Sequence, residues 1–99
     1  MFQGKRLITR GVADTIPAGV QIFLWSLLDE LVAKTPVPTD YLQVFELSGE
    51  NGDQIIIHRQ ENPPYQVIYQ FEKVGNPLQH KIYVIDDIDH CTMLLSHEY

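Results

Sequence analysis

Apolar residues in the first third of the chain recur at helical spacing. Pro17 suits the first turn of a helix because its missing N–H would have no partner there. Pro36 and Pro38 stop the pattern, since proline cannot continue a helix. The sequence therefore predicts one amphipathic helix over residues 17–34. Its apolar stripe fills an arc of about 140° and consists of Val20, Phe23, Leu24, Leu27, Leu28 and Leu31.

Three more apolar residues of this helix lie outside the stripe. Trp25 and Val32 fall on a shoulder about 100° from the centre of the stripe, and Ile22 lies farther round. A helix that is apolar on more than one side has more apolar surface than one core contact uses. We therefore predict that Ile22, Trp25 and Val32 are interface candidates.

Beyond Thr39 the apolar period changes from about 3.6 to about 2, which is typical of β-strands. The strand from 65 to 73 alternates most cleanly, as expected for a sheet with one buried and one wetter face. The predicted strands lie at about 6–12, 41–48, 54–60, 65–73 and 80–86, with a further short strand at 91–95 left open.

An Asn51-Gly52 pair between two β-type runs predicts a hairpin, because this dipeptide favours the two-residue turns that suit twisted strands. Such a turn places Leu47 opposite Ile56 and Phe45 opposite His58. It also places Glu50 opposite Asp53, a mildly unfavourable like-charge pair that leaves a longer loop open as an alternative.

These elements predict an α+β fold in a single domain, residues 1–99, with one helix packed on an antiparallel sheet of four to five strands. Successive strand residues point to opposite faces, so the apolar residues of the sheet cannot all lie under the helix. An exposed apolar face often binds a partner, and a homodimer is one hypothesis. The residues concerned are Leu42, Val44, Ile55, Ile57, Ile68 and Tyr83.

Composition narrows the classes of partner. Thirteen acidic against seven basic residues give a net charge of −6, which disfavours nucleic acid and anionic membranes as partners. The lone cysteine, and the lack of a secretory signal or an apolar run long enough to cross a bilayer, predict a soluble cytoplasmic protein. The acidity also suggests a third-ranked hypothesis, a decoy for a nucleic-acid-binding partner.

A short acidic run near the C-terminus is the main candidate for chemistry. Asp86, Asp87, Asp89 and His90 carry ligand types suited to a divalent metal. Their spacing matches no known metal motif, and aspartates that bond nearby backbone N–H groups in a turn explain the run better. The adjacent Cys91 follows three carboxylates, which would raise its pKa and make it a poor nucleophile. We predict no catalytic residue and no cofactor.

Several segments together form a recognisable string: Ile8-Thr9-Arg10-Gly11-Val12, Thr15-Ile16-Pro17, Phe23-Leu24-Trp25, Leu28-Asp29-Glu30-Leu31, Asp40-Tyr41-Leu42-Gln43-Val44-Phe45-Glu46-Leu47 and Thr92-Met93-Leu94-Leu95. Through them the chain resembles, over nearly its whole length, an uncharacterised family of small proteins of Gram-positive bacteria, domain of unknown function 960. The resemblance implies a stand-alone protein of about 100 residues and carries no activity, cofactor or site residue with it.

Three functional hypotheses follow in order. The first is a non-enzymatic protein-interaction module of the bacterial cytoplasm, whose partner is another protein or a second copy of this chain. It would act through the helix shoulder, a sheet edge or the second sheet face. The second is a metal-dependent or hydrolytic enzyme that uses the acidic loop at residues 86–90, and the third is the acidic decoy.

Overall fold

Six strands and two helices follow one another in the computed structural model, which describes residues 2–34 and 36–99. Among these residues, no helix is both long enough and apolar enough to cross a lipid bilayer. The elements, in chain order, are β1 (Lys5–Ile8), α1 (Arg10–Thr15), α2 (Ala18–Lys34), β2 (Leu42–Glu50), β3 (Asp53–Gln60), β4 (Tyr65–Phe71), β5 (His80–Asp86), β6 (His90–Leu95) and a C-terminal 3₁₀ turn (Ser96–Glu98).

All six strands belong to one sheet, in the order β1-β6-β5-β2-β3-β4. β1 runs parallel to β6, and every other neighbouring pair is antiparallel. The predicted α+β class is confirmed. The predicted antiparallel sheet of four to five strands is corrected to a mixed sheet of six, because the first strand pairs with the last and the short strand left open at 91–95 is present.

The predicted strand at 6–12 is wrong in its second half. β1 ends at Ile8, and Thr9 is the N-cap of α1, its Oγ1 accepting a hydrogen bond of 3.3 Å from the Val12 N–H. The same hydroxyl donates to a Glu98 carboxylate oxygen at 2.7 Å. Val12 packs in the core from a helix and not from a strand. In this segment the capping threonine outweighs the β-propensity of the β-branched residues.

The predicted helix at 17–34 is confirmed to within one residue by α2. Its four buried residues are Leu24, Leu27, Leu28 and Leu31, all members of the predicted stripe. Val20 and Phe23 are partly buried and pack against the same core. The 3.6-residue period therefore identified the face of α2 that lies on the sheet.

The hairpin prediction is confirmed in its register. Glu50 lies opposite Asp53, as the two-residue turn requires, and Leu47 and Phe45 face Ile56 and His58. Asn51 and Gly52 have φ angles of 53° and 83°. Both lie in the left-handed region that this turn demands, so the longer loop considered from the sequence does not form.

The face of the sheet under the helices holds the main core. It includes buried residues from four adjacent strands, together with Val12 from α1 and the leucines of α2. Because Phe45 and Leu47 lie on this face, Val44 and Glu46 must point to the other one. The buried strand residues on the helix side are Phe45, Leu47, Ile56, Ile82, Val84, Cys91, Met93 and Leu95.

The opposite face is partly closed by its own side chains. Val44 is only 2% exposed, and a Glu46–Arg59 ion pair of 2.8 Å crosses the strands beside it. At the C-terminus, the Tyr99 ring packs edge-on against Tyr83 at 5.5 Å. The apolar residues that the sequence left unexplained therefore differ in burial: Val44 is buried and Ile68 is exposed, and the half-buried ones are Leu42, Ile55, Ile57 and Tyr83.

Two glycines offer a matched test of the hairpin. Gly52→Ala places a Cβ at a left-handed φ, which destabilises the fold by about 1 kcal/mol. Gly19→Ala, in the first turn of α2 where a Cβ meets no atom within 4 Å, should instead stabilise it by about 0.5 kcal/mol. Urea unfolding of the three proteins measures both changes. Equal effects of the two substitutions would contradict the turn assignment.

Candidate interaction surface

The acidic loop between β5 and β6 is a turn held by its own polar contacts. Asp86 accepts a hydrogen bond of 3.2 Å from the backbone N–H of Phe2. His90 Nδ1 lies 2.8 Å from the Asp89 carboxylate, and its Nε2 lies 3.4 Å from Asp87. The hydrogen bond from His90 lowers the pKa of Asp89 below its ordinary value.

Within residues 2–34 and 36–99, no group of three or more His, Cys, Asp and Glu side chains is arranged to hold a metal ion. Cys91 is fully buried beside this loop. Burial raises the pKa of its thiol, and Asp86 and Asp29 add to the effect against the opposing charge of Arg6. The hypothesis of a metal-dependent or hydrolytic enzyme that uses residues 86–90 stays a prediction, and the contacts described above do not support it.

The three interface candidates on α2 have different environments. Ile22 is 68% exposed, whereas Trp25 and Val32 are partly buried and pack against the core. The Arg6 guanidinium lies 4.8 Å from the centre of the Trp25 ring and also pairs with Asp29. The shoulder is therefore divided between one exposed isoleucine and two residues that help hold β1 and the core to the helix.

A buried polar network joins β2 and β3 at the end far from the hairpin turn. The Gln43 side-chain amide donates to the Asp40 carbonyl at 2.9 Å and to the Gln60 amide oxygen at 2.8 Å. Its oxygen must therefore accept from His58 Nε2 at 2.8 Å. This arrangement places the proton of a neutral His58 on Nε2.

His58 is fixed between aromatic rings. It stacks on Phe45 with centroids 4.5 Å apart and meets Tyr65 edge-on at 5.7 Å. Its Nδ1 has no hydrogen-bond partner among the described residues. Burial lowers the pKa of His58 to about 4, so the ring is neutral at physiological pH and serves to fix the packing of β2 against β3.

Two grooves run between α2 and the outer strands β3 and β4, each with a volume of about 450 Å³. The Phe23 ring lies between them, edge-on to Tyr69 at 5.8 Å and to Phe71 at 5.3 Å. The first groove is almost wholly apolar, with Pro17, Val20, Phe23, Ile56, Phe71 and Leu78 among its lining residues. The second is more polar and is lined by Phe23, Ser26, Leu27, Glu30, Lys34, Tyr65 and Tyr69.

The one buried amide in the wall of the apolar groove is already satisfied. Gln54 donates to the carbonyls of Ser48 and Leu78 and accepts from the Leu78 N–H at 2.7 Å. It has little capacity left for a ligand. The groove therefore favours apolar or aromatic groups.

β4 forms one edge of the sheet beside these grooves and carries no charged residue over its seven positions, Tyr-Gln-Val-Ile-Tyr-Gln-Phe. Ile68 is 59% exposed and Phe71 41% exposed. Charged side chains, prolines and bulges are the usual devices that keep an edge strand from pairing. Between Pro64 and Glu72, β4 has none of them.

The turn at Asn51-Gly52 determines which backbone groups of β4 are free. The pair that closes a two-residue hairpin exchanges both hydrogen bonds, and such pairs alternate along antiparallel strands. Gln54, Ile56, His58 and Gln60 therefore direct their N–H and C=O groups to β4, where they bond Phe71, Tyr69, Val67 and Tyr65. Consequently, Gln66, Ile68 and Gln70 direct theirs outward.

The other edge of the sheet is better protected. β1 has only four residues, and two of them are the cations Lys5 and Arg6. The Arg6 side chain folds back over Trp25 and pairs with Asp29. The two edges therefore differ, and β4 is the one open to pairing.

The stability of two variants distinguishes the core residue Trp25 from the exposed residue Ile22. Trp25→Ala should lower the free energy of unfolding by about 3 kcal/mol, because it removes a large ring packed on the core. Ile22→Ala should change it by less than about 0.5 kcal/mol, since that side chain is exposed. Denaturant unfolding followed by circular dichroism measures both. A negligible effect of Trp25→Ala would place its ring outside the core.

His58 makes stability depend on pH. The unfolded chain takes up a proton on this residue as the pH falls through about 6.5, while the folded protein resists protonation until about pH 4. Protonation of His58 therefore does not affect the free energy of unfolding above about pH 6.5. Below that pH, the free energy of unfolding falls on acidification by about 1.4 kcal/mol per pH unit, and by about 3 kcal/mol in all. The neutral variant His58→Gln should show a flatter profile between pH 6.5 and 4.5 in urea titrations. Identical slopes would contradict this assignment.

Comparison with known proteins gives a family and a fold. Residues 5–98 match the sequence model of a family described as "Staphylococcal protein of unknown function (DUF960)". A crystal structure of a protein of unknown function from Enterococcus faecalis superposes with a TM-score of 0.75 at 21% identity, covering 97% of this chain and 91% of that one. No curated protein matches the sequence. The chain therefore belongs to the DUF960 family of proteins of unknown function.

Proposed function

We propose that this protein is a small non-enzymatic interaction module that binds its partner by strand addition at β4. The observation that carries the proposal is the uncharged free edge of seven residues, Tyr65–Phe71. Its three outward-facing residues offer N–H and C=O groups to an extended segment, and main-chain hydrogen bonds of this kind supply affinity in strand-addition complexes.

The surroundings of β4 favour a specific partner over indiscriminate pairing. Side chains of an added strand alternate between the two faces of the sheet. Those on the helix side would meet the grooves beside α2, where Phe23, Tyr69 and Phe71 present aromatic surface. Such grooves select apolar or aromatic side chains at every second position, which is how strand-addition modules obtain specificity.

Charge supports the same surface. The protein carries a net charge of −6, yet none of it lies on β4. An interface whose centre lacks charge avoids the desolvation of unpaired ionic groups. The acidic residues elsewhere would keep the molecule soluble and discourage association through other faces.

Site-specific photo-crosslinking tests the proposal. A photoreactive amino acid replaces exposed Gln66 on β4 in one protein and exposed Ile22 on α2 in a matched control. After irradiation in native extract, a discrete covalent adduct is expected from position 66 and not from position 22. Adding Ile68→Lys to the protein that carries the photoreactive amino acid at position 66 should abolish the adduct, because a charge at the centre of the strand opposes pairing.

Equal labelling at the two positions would contradict strand addition at β4. So would an adduct that survives Ile68→Lys, since it would not depend on the edge.

A further inference from the structure

We infer that the strand added to β4 is β4 of a second copy, paired antiparallel about Ile68. The inference rests on the proposed function and names its partner. A two-fold axis perpendicular to the sheet would join the two sheets into one and leave both α2 helices on the same face. Isologous pairing of this kind places the same surface of each copy in contact.

The sequence of β4 is nearly symmetric about Ile68. Residues at equal distances on either side of Ile68 are of the same type: Val67 and Tyr69 are apolar, and Gln66 and Gln70 are amides. Tyr65 and Phe71 at the ends are both aromatic. A two-fold axis through Ile68 therefore places each side chain opposite its match across the strands, which is the arrangement that stabilises antiparallel pairs.

The main chain has the same symmetry. The outward-facing residues of β4 are Gln66, Ile68 and Gln70, centred on Ile68. In the register about Ile68, that residue pairs with its own copy and Gln66 pairs with Gln70 of the second copy, giving about six inter-strand hydrogen bonds. Sliding the strands by two residues leaves outward groups without partners. Only the register about Ile68 uses all of them.

Side chains on both faces contribute. Ile68, which is 59% exposed, points to the face opposite α2 and would contact its own copy across the axis. On the helix side, Tyr65 of the second copy would lie beside Phe71, which lines the apolar groove and is 41% exposed. The dimer thus covers apolar surface that a single copy leaves in water.

The charges that flank β4 are compatible with this register. Glu72 would lie opposite Pro64 of the second copy and Lys73 opposite Pro63, so no like charges face each other across the strands. The overall charge of −6 on each copy still opposes association at long range. Because the interface itself is uncharged, added salt should screen this repulsion and strengthen the dimer.

The expected affinity is modest. A standard specific interface buries about 800 Å² on each partner, and one seven-residue strand with its flanking side chains lies at the lower end of that class. We therefore expect a dissociation constant in the micromolar range, corresponding to about 7–8 kcal/mol.

Sedimentation equilibrium on the full chain tests the inference over about 5 to 500 µM. The mass should rise from that of one copy toward twice that value, and the dissociation constant should fall as sodium chloride is raised. Ile68→Lys should weaken the dimer at least tenfold. Gln66→Pro should do likewise, because it removes an outward N–H and leaves the ladder to β3 intact.

Ile22→Lys is the matched control, since it adds the same charge at another exposed isoleucine; its dissociation constant should stay within about twofold of the parent. Circular dichroism confirms that each variant is folded. A monomer at 500 µM, or a dimer unaffected by both β4 substitutions, would overturn the inference.

The same variants distinguish this inference from the proposed function. One outcome is a monomeric protein whose adduct at position 66 contains a different protein and is lost on Ile68→Lys. That result would support strand addition and contradict self-pairing. A monomer with no edge-dependent adduct would reject both. A crosslinked species of twice the chain mass, lost on Ile68→Lys, is the result expected here.

Discussion

The register of the β2–β3 hairpin is the constraint on which the rest of the structure depends. Asn51 and Gly52 accept left-handed φ angles and so fix a two-residue turn. A slip of one residue would exchange the two faces of β3 relative to β2. Because the turn fixes this register, Ile56 shares the face of Phe45 and Leu47 under α2, and β3 directs alternate hydrogen bonds outward to β4. The same register determines which N–H and C=O groups of β4 point outward at the edge of the sheet.

Local patterns predicted the elements whose partners are near in sequence. The stripe of α2 was readable because a 3.6-residue period reports directly on the buried side of a helix. The register of Phe45 against His58 was readable because turn chemistry determines it. The strand at 80–86 was predicted with its observed limits, since turn residues bound it on both sides.

Non-local pairing was not predicted. Nothing near Lys5–Ile8 indicates that this strand lies parallel to His90–Leu95, at the other end of the chain. Likewise, the cap at Thr9 is completed by Glu98, so α1 depends on a contact that no local window contains. The position of β4 at an edge of the sheet was not predicted from its sequence either. An uncharged strand becomes informative only when the sheet order shows that it lies at an edge.

Amide hydrogen exchange measured as a function of protein concentration tests the central claim most directly, namely that β4 is an open edge that pairs with β4 of a second copy. In dilute solution, the outward amides of Gln66, Ile68 and Gln70 should exchange much faster than those of Val67 and Tyr69, which bond to β3. At high concentration the three outward amides should become protected together while other exposed amides do not change. Outward amides that remain unprotected at every concentration would contradict the claim.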